Sequence, residues 1–194
     1  MSLTTSVPVS NFLKSTGLAD LKTNLGSAAS TGISNPEYNV NQNLTILSFG
    51  GYSHDVYNIT EITSSQFSSS SATDLSIGNA VTTIGSNAFS YCTAITGSLI
   101  IPDSVTSIGS SAFQGCTGFN GTLNIGKSIN LIDTFAFNNC SNLTGVNIFA
   151  LTAPTIGSSA FYGMTAVSPT EIHVPTAATG YATGYDGLTV VYDL

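Results

Sequence analysis

Hydrophobic and polar positions alternate along this chain in blocks that recur. Four segments align without gaps: AFSYCTAIT from Ala88, AFQGCTGFN from Ala112, AFNNCSNLT from Ala136 and AFYGMTAVS from Ala160, each starting 24 residues after the last. A degenerate copy contributes Phe67, 22 residues before Phe89. Phe67, Phe89, Phe113, Phe137 and Phe161 therefore make one column. Ile62, Ile84, Ile108, Ile132 and Ile156 make a second, and Ile59, Val81, Val105, Ile129 and Ala153 a third. Self-similarity at a fixed period of this length is the signature of a solenoid.

An apolar-x-apolar triplet repeats in the same register: Leu75-Ser76-Ile77, Leu99-Ile100-Ile101, Leu123-Asn124-Ile125, Val146-Asn147-Ile148 and Ile172-His173-Val174. Alternation with period two predicts a short strand with two residues turned in and one out. A lone strand of this kind cannot bury its apolar side. Stacking coils about 4.8 Å apart pairs the strands edge to edge and sets each apolar column against its own copies. Pro102 and Pro175 directly follow two triplets and are expected to end those strands. Gly78, Gly85, Gly109, Gly126 and Gly157 follow strand-like pieces and are expected at turns. The fold class expected is mainly β, a leucine-rich-repeat-type solenoid of about five coils of 22–26 residues with a cap at each end.

Three segments follow from this pattern. Residues 1–43 fall outside the repeat and read as an N-terminal arm or cap; Leu18, Leu21 and Leu25 share one helical face, so a short helix is expected there. Residues 44–174 make the solenoid, opening with a strand at Leu44-Thr45-Ile46-Leu47-Ser48-Phe49 that Gly50-Gly51 ends. Residues 175–194 are expected to cap the far end, since an open coil needs cover.

Composition narrows the function. Only 7% of residues are charged, with 3 Lys+Arg against 10 Asp+Glu and a formal net charge of −7. Nucleic-acid binders neutralise phosphates with clustered Lys and Arg. Here Lys14, Lys22 and Lys127 are scattered, which argues against nucleic acid and against an anionic membrane surface. No apolar run reaches the roughly 20 residues of a transmembrane helix, and no secretory leader is visible at the N-terminus.

Candidate chemistry is sparse. Cys92, Cys116 and Cys140 repeat at the coil period, with Met164 next in the column. Ligands stacked in a straight line do not make a tetrahedral metal site, so these read as small buried apolar residues with free thiols. His54 stands beside Asp55 among many serines, but no G-x-S-x-G elbow accompanies them, which leaves a hydrolase a distant third reading. No cofactor or metal motif is present, and no enzyme activity is expected.

The stretches IPDSVTSIGSSAFQGCTGF from Ile101 and VTTIGSNAFSYCTAI from Val81 resemble the BspA-type leucine-rich repeat family. VNIFALTAPTIGSSAFYGM from Val146 is similar to that family's last coil, and IHVPTAATGYATGYDGL to its C-terminal cap. The resemblance covers about 59–194 and implies a solenoid with a sheet on one face. It also implies a surface-exposed or extracellular protein that binds protein or cell-surface ligands.

Non-enzymatic binding or adhesion is therefore the expected function. The alternative is a virion structural or host-attachment protein built on the same solenoid, with other virion proteins as partners. The residues expected to contact a ligand are the outward positions of the triplets, Ser76, Ile100, Asn124, Asn147 and His173. A second variable row follows each Phe: Ser90-Tyr91, Gln114-Gly115, Asn138-Asn139 and Tyr162-Gly163.

Overall fold

The fold is that of a computed structural model, which describes residues 44–49, 52–57, 60–166 and 171–194, with side chains from residue 60 onward. The helix expected at 18–25, and the arm that carries it, lie outside the described residues. The chain from Val40 to Leu194 forms one compact unit. Among its described residues there is no helix, and nearly every element is a short strand.

Each coil runs round three sides. The first side carries the triplet strands β6 (Gly97–Ile101), β8 (Phe119–Ile125), β10 (Gly145–Ile148) and β12 (Glu171–Val174). These pair in parallel, Leu99 with Leu123, Leu123 with Val146, and Val146 with Ile172. The second side carries two-residue strands, β3 (Glu61–Ile62), β5 (Thr83–Ile84), β7 (Ser107–Ile108), β9 (Leu131–Ile132) and β11 (Thr155–Ile156), again all parallel. Strands β6 and β12 end one residue before Pro102 and Pro175, as a residue without an N–H requires.

The third side is the Ala-Phe turn. It is not a strand, yet it is hydrogen-bonded from coil to coil as fully as one. Phe89 N–H donates to Ala112 C=O (2.7 Å), Phe113 N–H to Ala136 C=O (2.8 Å) and Phe137 N–H to Ala160 C=O (2.8 Å). The residues two before and two after each Phe donate to the next coil as well, for example Ser111 to Thr134 (3.0 Å) and Gly115 to Asn138 (2.8 Å). Those flanking residues have positive φ: Asn87 and Tyr91, Ser111 and Gly115, Phe135 and Asn139, Ser159 and Gly163. The left-handed conformation recurs twice in every turn, at residues whose N–H points along the stack.

The core follows the sequence columns. The Phe rings stack from Phe67 to Phe161 with centroids 5.1, 5.1, 5.4 and 5.8 Å apart and near-parallel planes. Val81, Val105, Ile129, Ile62, Ile84, Ile108 and Ile132 are buried beside them, as are the inward triplet residues from Leu99 to Val174. Ile59 lies outside the described residues.

The structure corrects the sequence reading in three places. The triplet at Leu75-Ser76-Ile77 does not join the main sheet: β4 (Asp74–Ser76) pairs antiparallel with β1 (Leu44–Phe49), which also pairs with β2 (Tyr52–Tyr57). The opening strand is thus one arm of a hairpin and not a coil. Second, the repeating glycines mark close approach more than turning. A Cβ on Gly109 would sit 2.7 Å from Ser86 N and 2.9 Å from Gly85 C, so the glycine lets neighbouring backbones touch. Third, the row after each Phe is not uniformly exposed, because Ser90 and Asn138 are buried.

At the C-terminal end, β14 (Leu188–Tyr192) extends the main sheet in parallel beside β12 and forms a hairpin with β13 (Gly184–Tyr185). The six-stranded order is β13-β14-β12-β10-β8-β6.

Candidate functional site: the outer face of the main sheet

Pleating decides which side chains reach this face. In β6 the pattern from Leu99 is buried, exposed, buried, so Ile100 projects to solvent with 63% of its surface accessible. Asn124, Asn147 and His173 hold the equivalent place in β8, β10 and β12, each half-buried between its neighbours. Pairing aligns them directly: Ile100 opposite Asn124, Asn124 opposite Asn147, Asn147 opposite His173, and His173 opposite Val191 of β14. Four of the five residues expected to form a binding row are therefore brought together. Ser76 is not among them, because its strand turned to β1.

The row is chemically graded. Ile100 is a bare apolar side chain at the sheet's edge. Next come amides in a ladder, with Asn147 Nδ2 donating to Asn124 Oδ1 (2.8 Å) and Asn124 Nδ2 to Thr122 Oγ1 (2.9 Å). At the other end His173 Nδ1–H donates to the Asp193 carboxylate (2.8 and 2.9 Å), and Glu171 Oε2 lies 3.8 Å from Nε2. One end of the face is apolar, the middle is neutral and polar, and the far end holds two carboxylates around a histidine. The ladder bonds fix the amide rotamers, so the face is rigid before anything binds.

Lys127 lies off this face, paired with Asp103, its Nζ 3.0 Å from Oδ2. The Lys127 backbone N–H and ammonium together hold the Asp103 carboxyl below its ordinary pKa. Beside Lys127 is a shallow open dish of about 480 Å³, lined by Ile129, Asn130, Phe149, Leu151 and Thr152. Phe149 and Leu151 are exposed there. Sequence reasoning missed this dish, although its signal was present: the triplet Val146-Asn147-Ile148 is followed by two further large apolar residues where other coils place Pro102-Asp103 and Gly126-Lys127.

The cysteine column has a role beyond filling space. Cys92, Cys116 and Cys140 are free and buried. Each thiol donates to the carbonyl of the preceding coil's Phe: Cys92 to Phe67 (3.0 Å), Cys116 to Phe89 (2.9 Å) and Cys140 to Phe113 (3.0 Å). The neighbouring Cys92 thiol and burial both raise the Cys116 pKa, and burial pushes Cys140 up to about 12. Among the described residues no group of His, Cys, Asp and Glu is placed to hold a metal ion. His54 and Asp55 fall on β2, whose side chains lie outside the description. No helix among the described residues is long and apolar enough to cross a membrane.

The family model described as BspA type leucine rich repeat region matches residues 58–180 in six copies. A crystal structure of a leucine rich cell surface protein from Faecalibacterium prausnitzii is 23% identical, with a TM-score of 0.42. The match covers 71% of this chain and 47% of that one, so the chain spans about half the length of that protein. A search of curated proteins finds none that matches.

Proposed function

This chain belongs to the BspA-type leucine-rich repeat family, and from that we propose that it is a non-enzymatic binding module. It acts at a cell surface or outside the cell, and it takes a protein ligand on the outer face of the main sheet. One observation carries the reading: Ile100, Asn124, Asn147 and His173 stand side by side on consecutive paired strands while their immediate neighbours are buried. Side chains free of packing duty, held on a rigid ladder, form the kind of surface on which solenoids recognise partners. The exposed Ile100 supplies an apolar anchor, and the amides and the His173 carboxylate cluster supply directional contacts around it.

The test is binding of the purified chain to an array of extracellular and cell-surface proteins, repeated with Ile100→Asp and Asn147→Ala. A partner whose affinity drops about tenfold or more in Ile100→Asp supports the reading, that being the size of an anchor residue's loss. A partner bound equally by both variants would place recognition elsewhere and remove this face from consideration.

A further inference from the structure

The Ala-Phe turns form a second edge of the solenoid that the strand-face reading leaves unused. Two columns along it are left-handed. One reads Ser65, Asn87, Ser111, Phe135, Ser159, and the other Ser69, Tyr91, Gly115, Asn139, Gly163. Ser, Asn and Gly are expected where φ is positive, since small or locally hydrogen-bonding side chains tolerate that region. Tyr91 and Phe135 are not. Both are bulky aromatics held at φ 57° and 60°, and both are exposed. That conformation recurs in every turn, where the residue's N–H bonds the next coil, so the fold sets it; what is particular to Tyr91 and Phe135 is an exposed aromatic ring outside the core.

The surroundings say what chemistry the edge offers. A Cβ on Gly115 would meet Tyr91 Cδ1 at 2.6 Å and Cε1 at 2.7 Å, so the Tyr91 ring leans over the glycine of the next coil while 56% of the residue stays exposed. Asn139 repeats the arrangement two coils on, its Oδ1 lying over Gly163. Tyr162 is 60% exposed in the last coil, and its carbonyl accepts the Asn139 N–H (2.8 Å). The edge thus offers Tyr91, Phe135, Asn139 and Tyr162 along about 14 Å, at about 4.8 Å per coil. The flanking carboxylates are already engaged, Asp133 by the Thr134 N–H and Asp186 by the Phe161 N–H. Beside these two carboxylates, whose charge disfavours an anionic ligand, the edge offers neutral groups: aromatic rings, phenol hydroxyls, serine hydroxyls and an amide.

We infer that this edge binds a neutral oligosaccharide, whose C–H faces rest on the Tyr91 and Tyr162 rings while its hydroxyls bond Asn139 and the neighbouring serines. The polarised C–H groups of a pyranose face complement the negative face of an aromatic ring. An amide offers both a donor and an acceptor to vicinal hydroxyls. A protein partner would call for a contiguous apolar centre shielded from water, whereas here the rings are separated by polar groups.

The experiment is titration of the full chain with neutral oligosaccharides of glucose, galactose, mannose and N-acetylglucosamine, followed by tyrosine fluorescence, with polygalacturonate as the acidic control. The variants are Tyr91→Ala, Tyr91→Phe, Tyr162→Ala and Asn124→Ala, each checked for an unchanged circular-dichroism spectrum. We expect at least one neutral sugar to bind, with affinity about tenfold weaker in Tyr91→Ala and Tyr162→Ala, one stacked ring's share. Binding should persist in Tyr91→Phe, which keeps the ring, and in Asn124→Ala, which lies on the other face. No neutral sugar bound at about 10 mM, the weak end of specific recognition, overturns the inference. So does binding that survives both alanine variants, or equal binding of the acidic control. Loss of a protein partner in Tyr91→Ala without any sugar binding would reassign the edge to protein recognition. Because Asn124→Ala reports on the strand face alone, the two surfaces fail independently.

Discussion

Single residues here act through their neighbours in the next coil. Phe113 stacks on Phe89 at 5.1 Å and on Phe137 at 5.4 Å and has no exposed surface. Phe113→Ala should cost about 3–5 kcal/mol in urea unfolding, from lost transfer energy and the cavity left behind. Phe67 has a stacking partner in Phe89 alone among the described residues, so Phe67→Ala should cost less. Asn124→Ala, on the solvent side, should change stability by about 0.5 kcal/mol or less. If Asn124→Ala proved as damaging as Phe113→Ala, the inside and outside of the strand would be reversed. Gly109→Ala adds only a methyl, yet it presses on the backbone of Ser86 and Gly85. The expected cost is about 1–3 kcal/mol, as for overpacking elsewhere, and urea unfolding reads it directly. The thiols give a pH dependence. Cys140 is raised from an ordinary 9.0 to about 12 by burial, and Cys116 is raised as well. In the unfolded chain these thiols lose their protons first, so the unfolded state binds fewer protons above pH 9 and stability falls as pH rises. The contribution is complete below about pH 9. Replacing Cys140 with Ala should flatten the fall in stability between pH 9 and 11, measured by urea midpoints. In the native state Cys116 should react slowly with thiol reagents at neutral pH.

At the scale of elements, the division between what the sequence revealed and what it concealed has a physical cause. The triplets from Leu99 to Val174 were legible because alternation with a buried partner on each side leaves one pattern only. The same pattern at Leu75-Ser76-Ile77 misled, because a strand at the end of a stack has a free edge and can pair with any chain that reaches it. The hairpin of β1 and β2 supplied that chain. The Ala-Phe turn was legible as a motif but not as a hydrogen-bonded side of the coil. Its ladder depends on two left-handed residues per turn, and Ser, Asn, Tyr and Phe at those positions carry no shared signature. Four of the five outward triplet positions were brought into one row as periodicity alone predicts. The aromatic edge was noticed only as variation, since burial of Ser90 and Asn138 beside exposed Tyr91 and Asn139 depends on which way each turn residue faces.

At the scale of the whole compact unit, each coil touches chiefly the coils before and after it, and stability is close to a sum of coil and interface terms. Far-UV circular dichroism should show strand and irregular structure. A helix content above about a third, an ordinary globular level, would contradict the fold. The bonds that join the coils also share a direction. On all three sides, from Leu99–Leu123 in the main sheet to Phe113–Ala136 in the turn, they lie along the stacking axis. That gives the molecule a grain. Tension applied across the stack would load many such bonds at once in shear, but tension along it would open one coil at a time, like a zip. Each coil holds 24 residues in the regular repeats, so each rupture should pay out about 80 Å of chain at about 3.4 Å per residue. A single-molecule pull between the ends of the repeat region should therefore give a sawtooth of even steps. As a mechanical element the solenoid would behave less as a rigid rod than as a fuse that lengthens stepwise under load, and a surface anchored through it would yield gradually before it let go.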